Sequence, residues 1–151
     1  MKIKIEIDEN IAEDEVVIRC NELSDEIQEI QNLIKEKLLE KISITYYKNN
    51  TEFYIPLKDI LFFQTEDTGV SAHTADEMYD VKYKLYELEE SLPKSFVRVS
   101  KSTILNVNSI YSITRNLTSS SEVEFRNTHK KVYVSRHYFK ELKNILLEKR
   151  R

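Results

Sequence analysis

The chain of 151 residues holds one glycine, two prolines, one cysteine and no tryptophan. Each scarcity removes a class of proteins. A lone Gly69 excludes the glycine-rich loops that cradle nucleotide phosphates and the dinucleotide fingerprint. With Cys20 alone, neither an internal disulfide nor a cysteine-based zinc site can form. Apolar runs are short. "ILFF" and "VVI" fall far below the roughly 18 residues of a membrane span. The start, "MKIKIEIDEN", alternates polar with apolar and resembles neither a signal nor a transit peptide. A cytoplasmic chain that does not itself span a membrane is therefore expected.

Chemistry is scarce as well. His73, His129 and His137 stand at no metal-ligand spacing to each other or to Cys20. No nucleophile elbow occurs, and carboxylates gather in runs such as "ELEES", which read as solvated helix faces. The expectation is no enzyme, no catalytic residue, no metal and no cofactor.

What is present belongs to a folded chain: 40% hydrophobic, 32% charged and 10% aromatic residues. Its length suits one core with a small appendage. The net charge of −3 is unevenly spread. Residues 1–42 carry 6 Lys/Arg against 12 Asp/Glu, residues 43–95 carry 5 against 10, and residues 96–151 carry 12 against 4. A basic final third points to a polyanion-facing end. Basic helix termini that merely fall late in the chain are the plainer explanation.

The order of patterns predicts a fold. "KIKIEIDE" and "EVVIRC" read as two short strands, followed by a helix over residues 24–41. Ile27, Ile30, Ile34 and Leu38 form its stripe. Ser24 is its N-cap, and Asp25, Glu26, Lys35, Lys37 and Lys41 complement its dipole. Residues 1–42 thus form a small β-β-helix unit that packs, dimerises or contacts a partner, and residues 43–151 form a second domain. There, strands are expected at "SITYYK", "TEFYIP", "DILFFQT", "VSAHT", "MYDVK", "FVRVS", "SIYSITR", "EVEFR" and "KKVYVS". A short helix stops at Pro93. Ser135 caps a last helix with Phe139, Leu142, Ile145 and Leu146 inward. The fold class is mainly β with helices (α+β), built of antiparallel sheets.

The stretch "SFVRVSKSTILNVNSI" places Arg98 and Lys101 inside a strand-like run. Ser100, Lys101 and Ser102 offer a cation flanked by two hydroxyls, a set that bonds phosphate oxygens. Lys101 is long enough to reach a guanine edge. Arg98 fits either that surface or a structural ion pair. Arg136 and His137 fall in the first turn of the last helix, where positive charge opposes the dipole. A bound phosphate would reverse that penalty, as would a nearby carboxylate.

This stretch resembles the signature of the LytTR DNA-binding domain, matching it at Phe96, Arg98, Ser102, Asn106 and Ile110. "FYIPLKDILFFQTED" and "VYVSRHYFKEL" resemble further parts of the family, in order, over about residues 43 to 148. The resemblance implies elongated antiparallel sheets whose loops enter successive major grooves of duplex DNA. Carried over by position, the first DNA loop is Glu66, Asp67 and Thr68. The second is Ser100, Lys101 and Ser102, and the third is Arg136 with His137. Arg98 stands beside the second loop, and Arg115 and Asn116 are backbone contacts. There are two departures from the family: Ser100 replaces its usual histidine, and Glu66 and Asp67 make the first loop acidic.

The resemblance also implies a one-component bacterial transcription regulator without a receiver domain. It implies direct-repeat DNA, a homodimer at least on DNA, and a small membrane regulatory protein as a further partner. A protein-interaction or sensing module with weak or no DNA binding is the alternative, favoured by the acidic total. Single-strand RNA binding through sheet aromatics is weaker, because "TYYK" and "LFF" read as core.

Overall fold

A computed structural model describes residues 1–40 and 43–149. Lys41 and the boundary expected after residue 42 lie outside them. The chain divides into two compact units, Met1–Lys35 and Glu36–Arg151.

Helix α1 (Asp25–Glu40), which starts in the first unit and ends in the second, begins as its sequence dictates. Ser24 Oγ accepts the Ile27 N–H at 3.3 Å, and its carbonyl oxygen accepts the Gln28 N–H at 3.0 Å. Ile27, Ile30 and Ile34 are half-buried, whereas Leu33 and Leu38 are exposed. The two strands expected at "KIKIEIDE" and "EVVIRC" do not form. Alternation favours an extended chain, but a strand requires a neighbour to take its backbone hydrogen bonds. These segments have none among the described residues, and Ile3, Ile5, Ile7, Val16 and Val17 stand in solvent.

The second unit is antiparallel throughout. Strands β1 (Ser43–Lys48) and β2 (Thr51–Pro56) form a hairpin. Its turn, Asn49–Asn50, takes positive φ at both residues (53° and 62°), a conformation that asparagine tolerates. A five-stranded sheet runs β5-β4-β3-β7-β6. Its members are β3 (Phe62–Glu66), β4 (Gly69–His73), β5 (Met78–Val81), β6 (Phe96–Ser100) and β7 (Thr103–Asn106). A three-stranded sheet runs β10-β9-β8 from β8 (Ile110–Thr114), β9 (Ser121–Phe125) and β10 (Lys131–Val134). Helix α2 (Leu85–Ser91) precedes β6, and α3 (Arg136–Lys149) follows β10.

Strands β3 and β7 are central and covered on both faces, which explains their continuous apolar runs. Phe63 and Ile104 face a core with Ile44, Ile55, Leu57, Val70 and Leu88. Phe62 and Leu105 face another with Val97, Val99, Val123, Val134 and Leu142. "TILN" was not expected as a strand, because it is short and lacks alternation. Asn106, buried in that strand, bonds Ile60 O at 3.1 Å through Nδ2 and accepts the Asn108 N–H at 3.0 Å. Its carboxamide thereby satisfies two backbone groups that the strand end would otherwise orphan.

Candidate nucleic-acid interface

Antiparallel register gathers the three candidate loops at one end of the second unit. Gln64 pairs with Thr103, so the far end of β3 runs out beside the start of β7. One further backbone bond, Thr65 N–H to Ser102 O at 2.8 Å, ties the first loop to the second. Asp67 and Thr68 form the exposed β3–β4 turn. Gly69 closes it at φ +136°, a region that side chains avoid, with nothing near the space of a Cβ. The chain's only glycine therefore shapes this loop.

A bulge fixes the second loop against the third. Between β6 and β7 the register slips: Arg98 faces Ile104, but Ser100 faces Thr103. Val99 is the extra residue, and its carbonyl is free to accept the Ser135 N–H at 2.9 Å. Ser135 is the residue before α3, so Arg136 and His137 are held beside Ser100 and Lys101. Both are exposed, as is Lys101. His137 meets Tyr138 edge-on, with ring centroids 4.9 Å apart. Ser135 heads the helix through its backbone, its carbonyl oxygen accepting from Tyr138 N and Phe139 N at 3.1 Å each. The capping bond expected of its hydroxyl is absent: Ser135 Oγ is buried without a partner.

The Arg98 guanidinium is occupied inside the fold. Nε donates to Ser100 O at 2.6 Å, Nη2 donates to Lys101 O, and Nη1 meets Glu89 Oε2 at 2.8 Å. The planar fork clamps two consecutive carbonyls of the second loop while a carboxylate from α2 holds it in place. The structural ion-pair reading of Arg98 is thus the observed geometry. Ser100 and Ser102 are also engaged. Their hydroxyls lie 3.3 Å apart, and Ser100 Oγ accepts the Ser102 N–H at 3.2 Å. Lys101 is left pointing outward from a braced turn.

Arg115 and Asn116 follow β8 at the same end, since Thr114 pairs with Glu122 and Ser121 with Val134. The Arg115 guanidinium lies over the Phe139 ring, 4.9 Å from its centroid. Asn116 Oδ1 accepts from Thr118 N and Thr118 Oγ1, both at 3.1 Å, which makes it a turn former.

The basic final third is divided between two ends. Arg126, Lys130 and Lys131 lie around the β9–β10 turn, away from these loops. Lys130 Nζ donates to Thr74 O at 2.9 Å and Glu77 O at 2.6 Å and lies 3.5 Å from His73 Nδ1. Burial holds the Lys130 ammonium below its ordinary pKa. Lys131 bridges Glu122 and Glu124 at 3.0 and 3.4 Å, and hydrogen bonding to Glu122, then Glu124, raises its pKa. Charge counting alone therefore overstates the polyanion-facing surface. Sequence reasoning also missed Glu89, taken for part of a solvated run, and the bulge at Val99. Neither has a local sequence signal. The hairpin aromatics correct the expectation that "TYYK" is core: Tyr47, Phe53 and Tyr54 are exposed and Tyr46 is half-buried, stacked on Phe53 at 4.9 Å and packed on Tyr79 at 4.4 Å, with Glu52 beside Tyr54 and Tyr47.

Comparison with known proteins gives a consistent answer. Residues 50–147 match the family described as the LytTr DNA-binding domain. An uncharacterized HTH-type transcriptional regulator of Staphylococcus aureus strain COL is 30% identical over 146 residues, covering 97% of this chain and 98% of its own. Its counterpart in strain MRSA252 is 29% identical over the same length. A solved LytTr DNA-binding domain from Bacillus cereus superposes with a TM-score of 0.64 at 27% identity, over 70% of this chain and 97% of that one. The three helices here are separated by strands, so no helix-turn-helix exists among the described residues. None of those helices is long and apolar enough to cross a membrane.

Proposed function

We propose, because this chain belongs to the LytTr DNA-binding domain family, that it is a transcription regulator reading duplex DNA through the three gathered loops. The family is one of DNA-binding domains, not of enzymes. The observation that carries the reading is the pair of backbone bonds, Thr65 N to Ser102 O and Ser135 N to Val99 O. They fix Thr68, Lys101, Arg136 and His137 on one edge as a preformed reader. Lys101, Arg136 and His137 reach base edges or phosphates, Arg115 and Asn116 flank them on the backbone, and Arg98, Ser100 and Ser102 hold the second loop in shape. Binding energy is then not lost to ordering the loops.

Glu66 and Asp67 modify the reading. Near phosphates they repel, which lowers non-specific affinity. Against a base edge a carboxylate accepts from cytosine N4, so the first loop favours a cytosine-bearing step. The same acidic pair supports a second reading, a protein-interaction module with weak DNA binding. On DNA the protein acts as a pair over repeated half-sites.

Selection of bound duplexes from a random pool, followed by titration at two salt concentrations, separates these readings. An enriched repeated motif whose affinity falls steeply with salt is expected. Absence of both a motif and a salt slope would transfer the function to the interaction module.

A further inference from the structure

The first eight residues alternate apolar with polar but form no strand, having no neighbour to pair with among the described residues. Ile3, Ile5 and Ile7 are 84–92% exposed. Lys2, Lys4, Glu6 and Asp8 occupy the alternate positions. Lys4 Nζ lies 2.5 Å from Glu6 Oε1, so these two alternate side chains share one side of the segment. One side is thus wholly apolar and the other wholly charged, with basic residues first and acidic residues second. A charged, exposed surface segment has no physical need for three isoleucines in strict alternation.

The order of charges identifies the missing neighbour. In an antiparallel pairing of two identical segments centred on Ile5, Lys2 faces Asp8, Ile3 faces Ile7, Lys4 faces Glu6, and Ile5 faces itself. Every cross-strand pair is then either opposite in charge or apolar, and both kinds stabilise. A shift by one residue in each strand breaks this pattern. Centred on Glu6 the two glutamates oppose each other, and centred on Lys4 the two lysines do. Parallel in-register pairing sets every charge against its own kind. A two-fold contact of this type is isologous, the commonest form of oligomer interface. The apolar side of so short a ribbon needs cover. Val16, Val17 and Leu33 of the same unit are exposed apolar side chains.

We propose that residues 2–8 of two copies of this chain pair as an antiparallel seam centred on Ile5, giving a dimer that forms without DNA. The contact lies in the first unit and is independent of the DNA-reading loops.

The test is sedimentation of the full chain, free of DNA, over a concentration series. Wild type is expected to dimerise. Lys4→Glu sets glutamate against Glu6 twice across the two-fold, and Glu6→Lys sets lysine against Lys4 twice. Each is expected to weaken self-association by roughly tenfold. An equimolar mixture of the two single variants restores opposite pairs, as does the double variant K4E/E6K with itself, and both should recover near-wild-type association. Both positions of the exchange, Lys4 and Glu6, are exposed, so unchanged circular dichroism is expected throughout. A monomeric wild type would overturn the proposal and leave the strand to a different protein. Single variants that dimerise like wild type, or a mixture that fails to recover, would overturn it equally by placing the contact elsewhere.

Discussion

Ser135 donates its backbone N–H to the carbonyl oxygen of Val99 at 2.9 Å, and Val99 is the bulged residue of β6. One irregular residue thereby sets the distance between the second loop and the first turn of α3. Regular pairing would spend that carbonyl within the sheet. The bulge releases it to hold the segment that carries Arg136 and His137.

If those loops read DNA, the exposed cations matter to binding and not to folding. Lys101→Ala and Arg136→Ala are each expected to weaken specific binding by about 1–3 kcal/mol. A phosphate contact would also lower the salt slope by about one unit, whereas a base contact would relax specificity at one position. Melting temperatures should stay unchanged, because surface substitutions of this kind are usually neutral. Binding anisotropy paired with thermal melts checks both halves.

Arg98 should behave in the opposite way. Its guanidinium joins Ser100 O, Lys101 O and Glu89, so Arg98→Ala removes a clamp and leaves two carbonyls to water. About 1–3 kcal/mol of stability should be lost, with DNA binding falling through misplacement of Lys101. Arg98→Lys should rescue little, since an ammonium cannot span two carbonyls and a carboxylate as a planar fork does. Glu89→Gln should cost less than about 1 kcal/mol, because that carboxylate is half exposed. An Arg98→Lys variant as stable as wild type would show that the clamp is not what holds the loop.

The two clusters also rank core substitutions. Phe63 is fully buried between strands, so Phe63→Ala should cost about 3–5 kcal/mol in a urea titration. Phe139 is half-buried under the Arg115 guanidinium, and its truncation should cost clearly less. Equal losses would mean that Phe139 is better enclosed than its exposure indicates.

These contrasts show what the sequence carries. Nine strands were legible from alternation and turn residues, most closely the β1–β2 hairpin, whose bounds match residue for residue. β7 was hidden because a strand covered on both faces does not alternate. The family signature was legible for a structural reason. Arg98 clamps, Ser102 bonds across its turn and Asn106 ties a strand end, so the pattern marks the frame that positions the readers. The outward residues Lys101, Arg136 and His137 carry no such local constraint. Only the sheet register and the Val99 bulge, both products of long-range pairing, bring them together. The N-terminal alternation predicts two strands, and the described residues provide no strand beside it.

His73 supplies a prediction in pH. Its ring stacks on Phe62 with centroids 4.3 Å apart, Nε2 is buried without a hydrogen bond, and Lys130 Nζ approaches Nδ1. Burial first, and the Lys130 charge second, lower its pKa from 6.5 to about 4. Glu66 lies 3.8 Å from Nε2 and would favour the charged ring, but it is well exposed and beyond hydrogen-bond reach, so it offsets little. The unfolded chain therefore takes up a proton before the folded one does. Stability from this site is complete above pH 6.5 and is lost as pH falls from there towards 4, by up to roughly 3 kcal/mol. His73→Phe keeps the stack on Phe62 and removes the titration. Between pH 7 and 4.5 its unfolding free energy should fall less than that of wild type, the difference opening below pH 6.5. Parallel profiles for the two proteins would show that His73 is protonated in the fold at no cost, and that the pocket admits water to Nε2.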